Sequence, residues 1–207
     1  MRHRRLRIAW LSMVTSIGMA LAVSQSALAA AIITATEVGG DVVFTGSGTL
    51  SLSALTSMGN GNLLAGIDFG REVLLGANPT GLAAVDFYGA AGQITAPGPF
   101  GADLFTGASL GEGPRFGIAA EAFPNQVAPA IAVPAGYVSG GSLSSTSTFS
   151  GKTFSSLGIN PGTYTWSWGS GASADSLTLT IVPEPASIGL LLAGLAGLSA
   201  LRRRQRK

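Results

Sequence analysis

Few side chains in this sequence could do chemistry, and most of those are carboxylates. Asp68, Glu72, Asp86, Asp103, Glu112, Glu121 and Asp175 are spread along the middle of the chain. Two of them facing each other across a cleft would be the machinery of glycoside hydrolysis. Solvated surface acids are the commoner use of such residues, so a hydrolase is carried as an alternative only. The sole histidine is His3 and there is no cysteine. After the N-terminal segment, Ser-His-Asp and Cys-His arrangements and histidine metal sites are therefore excluded. No G-x-S-x-G, P-loop or H-E-x-x-H pattern occurs. Serines are plentiful but lack an evident base, since Lys152 has no S-x-x-K context. Asp41, Asp103 or Asp175 could join carbonyls around Ca²⁺, but the D-x-D-x-D-G loop is missing. The expectation is a non-catalytic chain without metal or cofactor.

A second kind of chemistry is stacking. In "GTYTWSWG", Tyr164, Trp166 and Trp168 alternate, so a strand there carries three aromatics on one face and Thr163, Thr165 and Ser167 on the other. An exposed aromatic row can grip sugar rings, which makes these three residues a candidate ligand platform. Core filling is the commoner use of large strand aromatics. Both readings remain open at this point.

The two ends are where charge concentrates. Of the 12 basic residues, Arg2, Arg4, Arg5 and Arg7 open the chain, and Arg202, Arg203, Arg204, Arg206 and Lys207 close it. Only Arg71, Arg115 and Lys152 lie between, against nine acids, a net charge of −6. That balance argues against a nucleic-acid partner. The opening arginines, the apolar run Ile8–Val23 and the small residues of Ala27-Leu28-Ala29 read as an export signal, residues 1–29, cleaved after Ala29. An exported domain without cysteine has no disulfides to support it, and about 150 residues are enough for one core.

At the other end, Pro183-Glu184-Pro185 precedes an uncharged run, Ala186–Leu201, and then the basic cluster. Prolines resist helix and ladder bonding, so the tripeptide is expected to be stiff, extended and open to an enzyme. The run would form a helix of about 24 Å, slightly short of a hydrocarbon core near 30 Å. Snorkelling arginines can make up the difference, and the positive-inside rule keeps Arg202–Lys207 cytoplasmic.

This order of motif, apolar helix and basic tail resembles the PEP-CTERM sorting signal of Gram-negative bacteria. The resemblance implies recognition of Pro183, Glu184 and Pro185 by exosortase, an integral-membrane cysteine transpeptidase. It implies that the basic residues retain the tail in the membrane until processing. It further implies a protein of the cell surface or of the extracellular polymer matrix, reached through the export machinery, with extracellular polysaccharide as a partner. The stretch from Val133 to Pro185 also looks like the last third of a group of such proteins that has no well-defined activity to carry over.

The elements that hold these residues read as short strands. "IITATEV" and "DVVFTGSGT" meet at Gly39-Gly40, a two-residue hairpin connection that puts Val42 and Phe44 on one face and Val43, Thr45 and Ser47 on the other. Leu50 and Leu52 continue as an alternating strand pattern. Further strands are expected at Glu72–Leu75, Ala83–Tyr88, Phe116–Ala119, Ala128–Val133, Thr146–Phe149, Gly162–Trp168 and Ser176–Val182. Gly59–Asn62 reads as a turn and Pro97–Gly113 as a long loop. The predicted architecture is all-β: a single β-sandwich, jelly-roll-like, over residues 30–182, between the signal peptide and a sorting signal at 183–207.

Overall fold

The computed structural model describes residues 30–68, 72–77, 80–102, 105–119 and 129–183. Its strands in chain order are β1 (Ala30–Val38), β2 (Asp41–Thr49), β3 (Ser57–Leu63), β4 (Gly66–Asp68), β5 (Glu72–Leu75), β6 (Ala83–Tyr88), β7 (Ile94–Thr95), β8 (Thr106–Gly107), β9 (Leu110–Glu112), β10 (Phe116–Ala119), β11 (Ala130–Pro134), β12 (Ser142–Phe149), β13 (Gly162–Trp168) and β14 (Asp175–Val182). Among the described residues the only helical element is a 3-10 turn, Gly171–Ser173. Sheet A has the order β7-β13-β14-β1-β2-β12-β9, and sheet B the order β3-β6-β11-β10-β5-β4-β8.

Alternation builds sheet A. Ala31, Ile33, Ala35, Val42, Phe44, Leu177, Leu179 and Ile181 point to one side and are fully or almost fully buried, while the residues between them face out. That inner face shares one core with Val73, Leu75, Phe116, Ile118 and Ile131 of sheet B. Fully burying such a side chain stabilises by about 1.5–3 kcal/mol. Gly46 marks a close approach of the sheets: a Cβ there would stand 2.6 Å from Leu75 Cδ1 and 2.7 Å from Phe116 Cζ.

Sheet B is buried on its other face as well. Leu74, Val85, Phe87, Ala119, Ala130 and Ala132 form a second cluster, with Met58 and Leu63 packed against it. This is why Phe116–Ala119 and Ala130–Val133 read as continuous apolar runs. Gly117, at φ +151°, lets β10 lie between its neighbours, because a Cβ there would fall 1.9 Å from the Val73 carbonyl oxygen.

The hairpin at Gly39-Gly40 forms as expected, with both glycines at positive φ (64° and 92°). Four features differ from expectation. Leu50 and Leu52 are buried but lie outside any strand, because their backbone N–H groups bond to side chains rather than to a ladder. Gly59–Asn62 is part of β3 and pairs with β6, past a register shift between Ser57 and Gly59. Within Pro97–Gly113 the chain forms β8 and β9 and buries Phe100 completely. Finally β1 and β14 run parallel, from Ala30 beside Ser176 to Thr36 beside Val182. An all-antiparallel jelly roll contains no such pair.

Candidate functional site

β13 places the aromatic row on the inward side of sheet A. Trp166 and Trp168 are each 3% exposed, and Tyr164 is half-buried against the same core. The Phe100 ring lies edge-to-face to Trp166 at 6.4 Å and tilted to Tyr164 at 5.7 Å. The Trp168 indole N–H donates to the Ser51 carbonyl (2.8 Å), and the Tyr164 hydroxyl donates to that of Asn160 (3.1 Å). Both indole faces are occupied by the core, so these tryptophans offer no stacking surface to a sugar in the folded domain.

The opposite side of the same strands is built from hydroxyls. Register aligns Thr163, Thr180, Thr34, Thr45 and Thr146 across β13, β14, β1, β2 and β12, with Glu112 of β9 at the end of the row. The next row runs Thr165, Thr178, Ile32, Ser47 and Ser144, and Thr165 and Thr178 share a hydrogen bond of 3.1 Å. Among the described strand residues of this face only Asp41 and Glu112 carry charge. The signal was present in the sequence as a repeated T-x-T: Thr34/Thr36, Thr146/Thr148, Thr163/Thr165 and Thr178/Thr180.

The carboxylates do not gather in one place. Glu112 and Asp175 belong to sheet A, and Asp68, Glu72 and Asp86 to sheet B. Asp103 and Glu121 lie outside the described residues. Asp68 and Glu72 sit directly opposite each other across β4 and β5, and Asp86 Oδ2 accepts the Gly136 N–H (2.8 Å). Among the described residues no group of three His, Cys, Asp or Glu is placed to hold a metal ion.

Polar side chains, which sequence spacing did not single out as a group, fasten the crossing from β2 to β3: buried Asp175, half-buried Tyr137 and exposed Ser139. The Tyr137 hydroxyl accepts the Leu50 N–H (2.9 Å) and donates to the Gly141 carbonyl (2.5 Å). Ser139 Oγ accepts the Leu52 N–H (2.9 Å). Asp175 accepts the Ser51 N–H through Oδ2 (2.5 Å) and the Ser176 N–H through Oδ1 (2.6 Å). Burial pushes the Asp175 carboxyl above its ordinary range, partly offset by these two bonds. Burial likewise raises Tyr137, and it lowers Arg115, whose Nη2 donates to the Ala77 carbonyl (2.9 Å).

The remaining expected site begins where β14 ends. Val182 still pairs with Thr36 at the middle of sheet A, and Pro183, the next residue, is exposed. No residue separates the last ladder partner from the first proline. Glu184, Pro185, Arg202, Arg203, Arg204, Arg206, Lys207, the apolar run 186–201 and the cleavage residues Ala27 and Ala29 lie outside the described residues. Among the described residues no helix is long and apolar enough to cross a membrane.

Fold and terminus together define a class: a β-domain whose last strand runs directly into a C-terminal sorting segment. The family model described as the PEP-CTERM protein-sorting motif matches residues 182–207. The chain thus carries a PEP-CTERM sorting motif at its C-terminal segment, and that motif indicates a protein exported and sorted by an exosortase, a membrane enzyme, to the cell surface. No curated protein and no solved structure matches the chain.

Proposed function

We propose that this is a non-catalytic protein of the cell surface or extracellular matrix, cut or transferred by its exosortase near Pro183–Pro185. The observation that carries the reading is the junction: the sorting motif starts at residue 182, where a fully paired central strand ends. Removing everything after Pro183 therefore leaves every described strand of both sheets in place. In this reading residues 1–29 are a signal peptide cleaved after Ala29, 186–201 a membrane-spanning helix, and Arg202–Lys207 its cytoplasmic anchor. The domain is a sandwich, jelly-roll-like in that the chain passes repeatedly between its two sheets. Extracellular polysaccharide is its partner, met on the hydroxyl-rich, sparsely charged face of sheet A rather than on Trp166 and Trp168. Mass spectrometry of the C-terminus, in cells with and without the sorting enzyme, tests the reading. A new C-terminus near Pro185 that depends on the enzyme is expected. Full-length protein as the stable surface form would refute it.

A second reading, glycan hydrolysis, is favoured by one observation, the cross-strand register of Asp68 and Glu72. Opposed residues place their Cβ atoms about 4.5–5.5 Å apart, within reach of the spacing of about 5–5.5 Å between the carboxyls of retaining glycosidases. Asp68→Asn and Glu72→Gln, assayed against matrix polysaccharide, separate the two readings. Loss of a measurable hydrolysis in both variants would establish the second.

A further inference from the structure

The strands of sheet A have a polar end and an apolar end, and the sorting tail leaves from the apolar one. Because β1 and β14 are parallel, Ala30 lies at one end beside Ser176, and Val182 at the other beside Thr36. Six residue steps at about 3.3 Å put those ends about 20 Å apart. The last outward row that spans five strands at the tail end is Val182, Thr36, Val43, Thr148 and Leu110. One step beyond it Val38 of β1 stands opposite Asp41 of β2, whose carboxylate accepts the Gly151 N–H. Val38, Leu110 and Val182 are 58%, 64% and 37% exposed, three of the seven exposed large hydrophobics among the described residues. At the other end Ser167, Ser176 and Ala30 lie side by side, and Thr49 pairs with Ser142.

Chain length decides how near this end must come to lipid. From Val182 to Ala186 an extended chain spans at most about 14 Å. The headgroup layer takes about 5–7 Å of that, given a bilayer of 40–45 Å around a core of 30 Å. A 16-residue helix is about 6 Å shorter than the hydrocarbon core, which draws its flanks inward. Little slack is left. We infer that the tail-exit end of sheet A, centred on Val38, Leu110 and Val182, rests on the lipid headgroup layer before processing, with the strands upright and the Ala30 end facing away. This rests on the reading of 186–201 as a spanning helix. The contact need not be strong, since the tail supplies a high local concentration. Its apolar residues replace water at the interface without a basic patch. Lys152, in the turn that Gly151 N–H ties to Asp41 (2.8 Å), is the exposed cation at this end.

The absence of cysteine from the natural sequence makes the test direct. Single variants Val38→Cys, Leu110→Cys, Val138→Cys and Leu192→Cys of the full chain would carry an environment-sensitive dye in phosphatidylcholine–phosphatidylglycerol vesicles whose acyl chains bear shallow bromines. Val138 is the control: it is 76% exposed but lies in the loop bonded to Leu50, at the far end. The expected result is quenching at positions 38 and 110 at least threefold stronger than at 138, with strong quenching at 192. Equal quenching at 38, 110 and 138, with 192 still quenched, would overturn the inference and leave the spanning tail standing. No quenching at 192 would take down the spanning-tail reading and the inference with it. Protection of 38 and 110 that appears only when the sorting enzyme is added would show a protein contact in place of lipid, and would also overturn the inference.

Discussion

Tyr137→Phe removes one oxygen and tests whether the crossing between the sheets is held by side chains. In the wild type that oxygen accepts the Leu50 N–H (2.9 Å) and donates to the Gly141 carbonyl (2.5 Å). Leu50 is wholly buried, so its N–H has no route to water without movement of the segment. The Leu50 carbonyl keeps a partner, because the Gly140 N–H also bonds it (2.8 Å). One stranded donor and one weakened acceptor cost about 2 kcal/mol, which for a domain of this size lowers Tm by about 4–8 °C. The assay is thermal unfolding followed by tryptophan fluorescence, since Trp168 is bonded to Ser51 of the same segment. The effect also has a pH signature. Burial raises the Tyr137 pKa above the usual 10.0, so its neutral form contributes stability below about pH 10 that is lost as pH rises through the folded value. Tyr137→Phe should lose less stability there than the wild type. If the variant melts within about 1 °C of wild type and keeps its alkaline slope, the clasp is not what holds Leu50.

Three further outcomes follow from the same geometry. Gly117→Ala should destabilise by about 3 kcal/mol, since overpacking and positive-φ strain combine at one position and the obstacle is the Val73 carbonyl, which cannot rotate away; loss of cooperative unfolding in urea checks it, and Ala119→Gly is the tolerated comparison. Asp175→Asn should cost stability through a lost acceptor, but less at about pH 7 than at about pH 4. The raised Asp175 pKa means its neutral form stabilises at low pH and that contribution disappears as pH rises through the folded value, a loss the amide cannot show. Emission of the mature domain, from Trp166 and Trp168, should be blue and unmoved by oligosaccharides; a red maximum that shifts with sugar would restore the aromatic platform.

What was legible in the sequence was local. The Gly39-Gly40 hairpin needs only two glycines between alternating runs, and β12, β13 and β14 alternate so regularly that their faces could be assigned before any partner was known. Both readings of Tyr164, Trp166 and Trp168 predict the same alternation, because period alone cannot tell which face turns inward. Only the position of Phe100, 64 residues or more away in sequence, decides it. Gly59–Asn62 misled because glycine and asparagine mark turns when read locally; here they extend β3 along β6, where Gly61 leaves room for the Phe87 ring (3.0 Å from a Cβ there). Leu50–Leu52 misled in the opposite sense. Its alternation is real, but the partners of its N–H groups are Tyr137, Asp175 and Ser139, more than 80 residues downstream.

The parallel pair β1–β14 places the strongest demand on how such a chain matures. β1 can pair with β2 as soon as both are outside the membrane, but its other edge stays open until β14 arrives, and β14 is followed at once by the sorting motif. An open edge in a central strand invites wrong pairing, and closing it joins residues from opposite ends of the domain, a slow kind of contact. β14 brings Leu177, Leu179 and Ile181, all at most 1% exposed, a contribution of about 5–9 kcal/mol from side-chain burial alone. That is comparable to the whole stability of an ordinary domain, about 5–15 kcal/mol. A chain ended after Ala174 should therefore fail to unfold cooperatively, while one ended after Pro183 should melt close to the full-length protein. Near-native melting of the shorter chain would mean that β14 is an accessory strand. If it fails, every chain that reaches the enzyme has its closing strand, because the address can only follow the residues that complete sheet A.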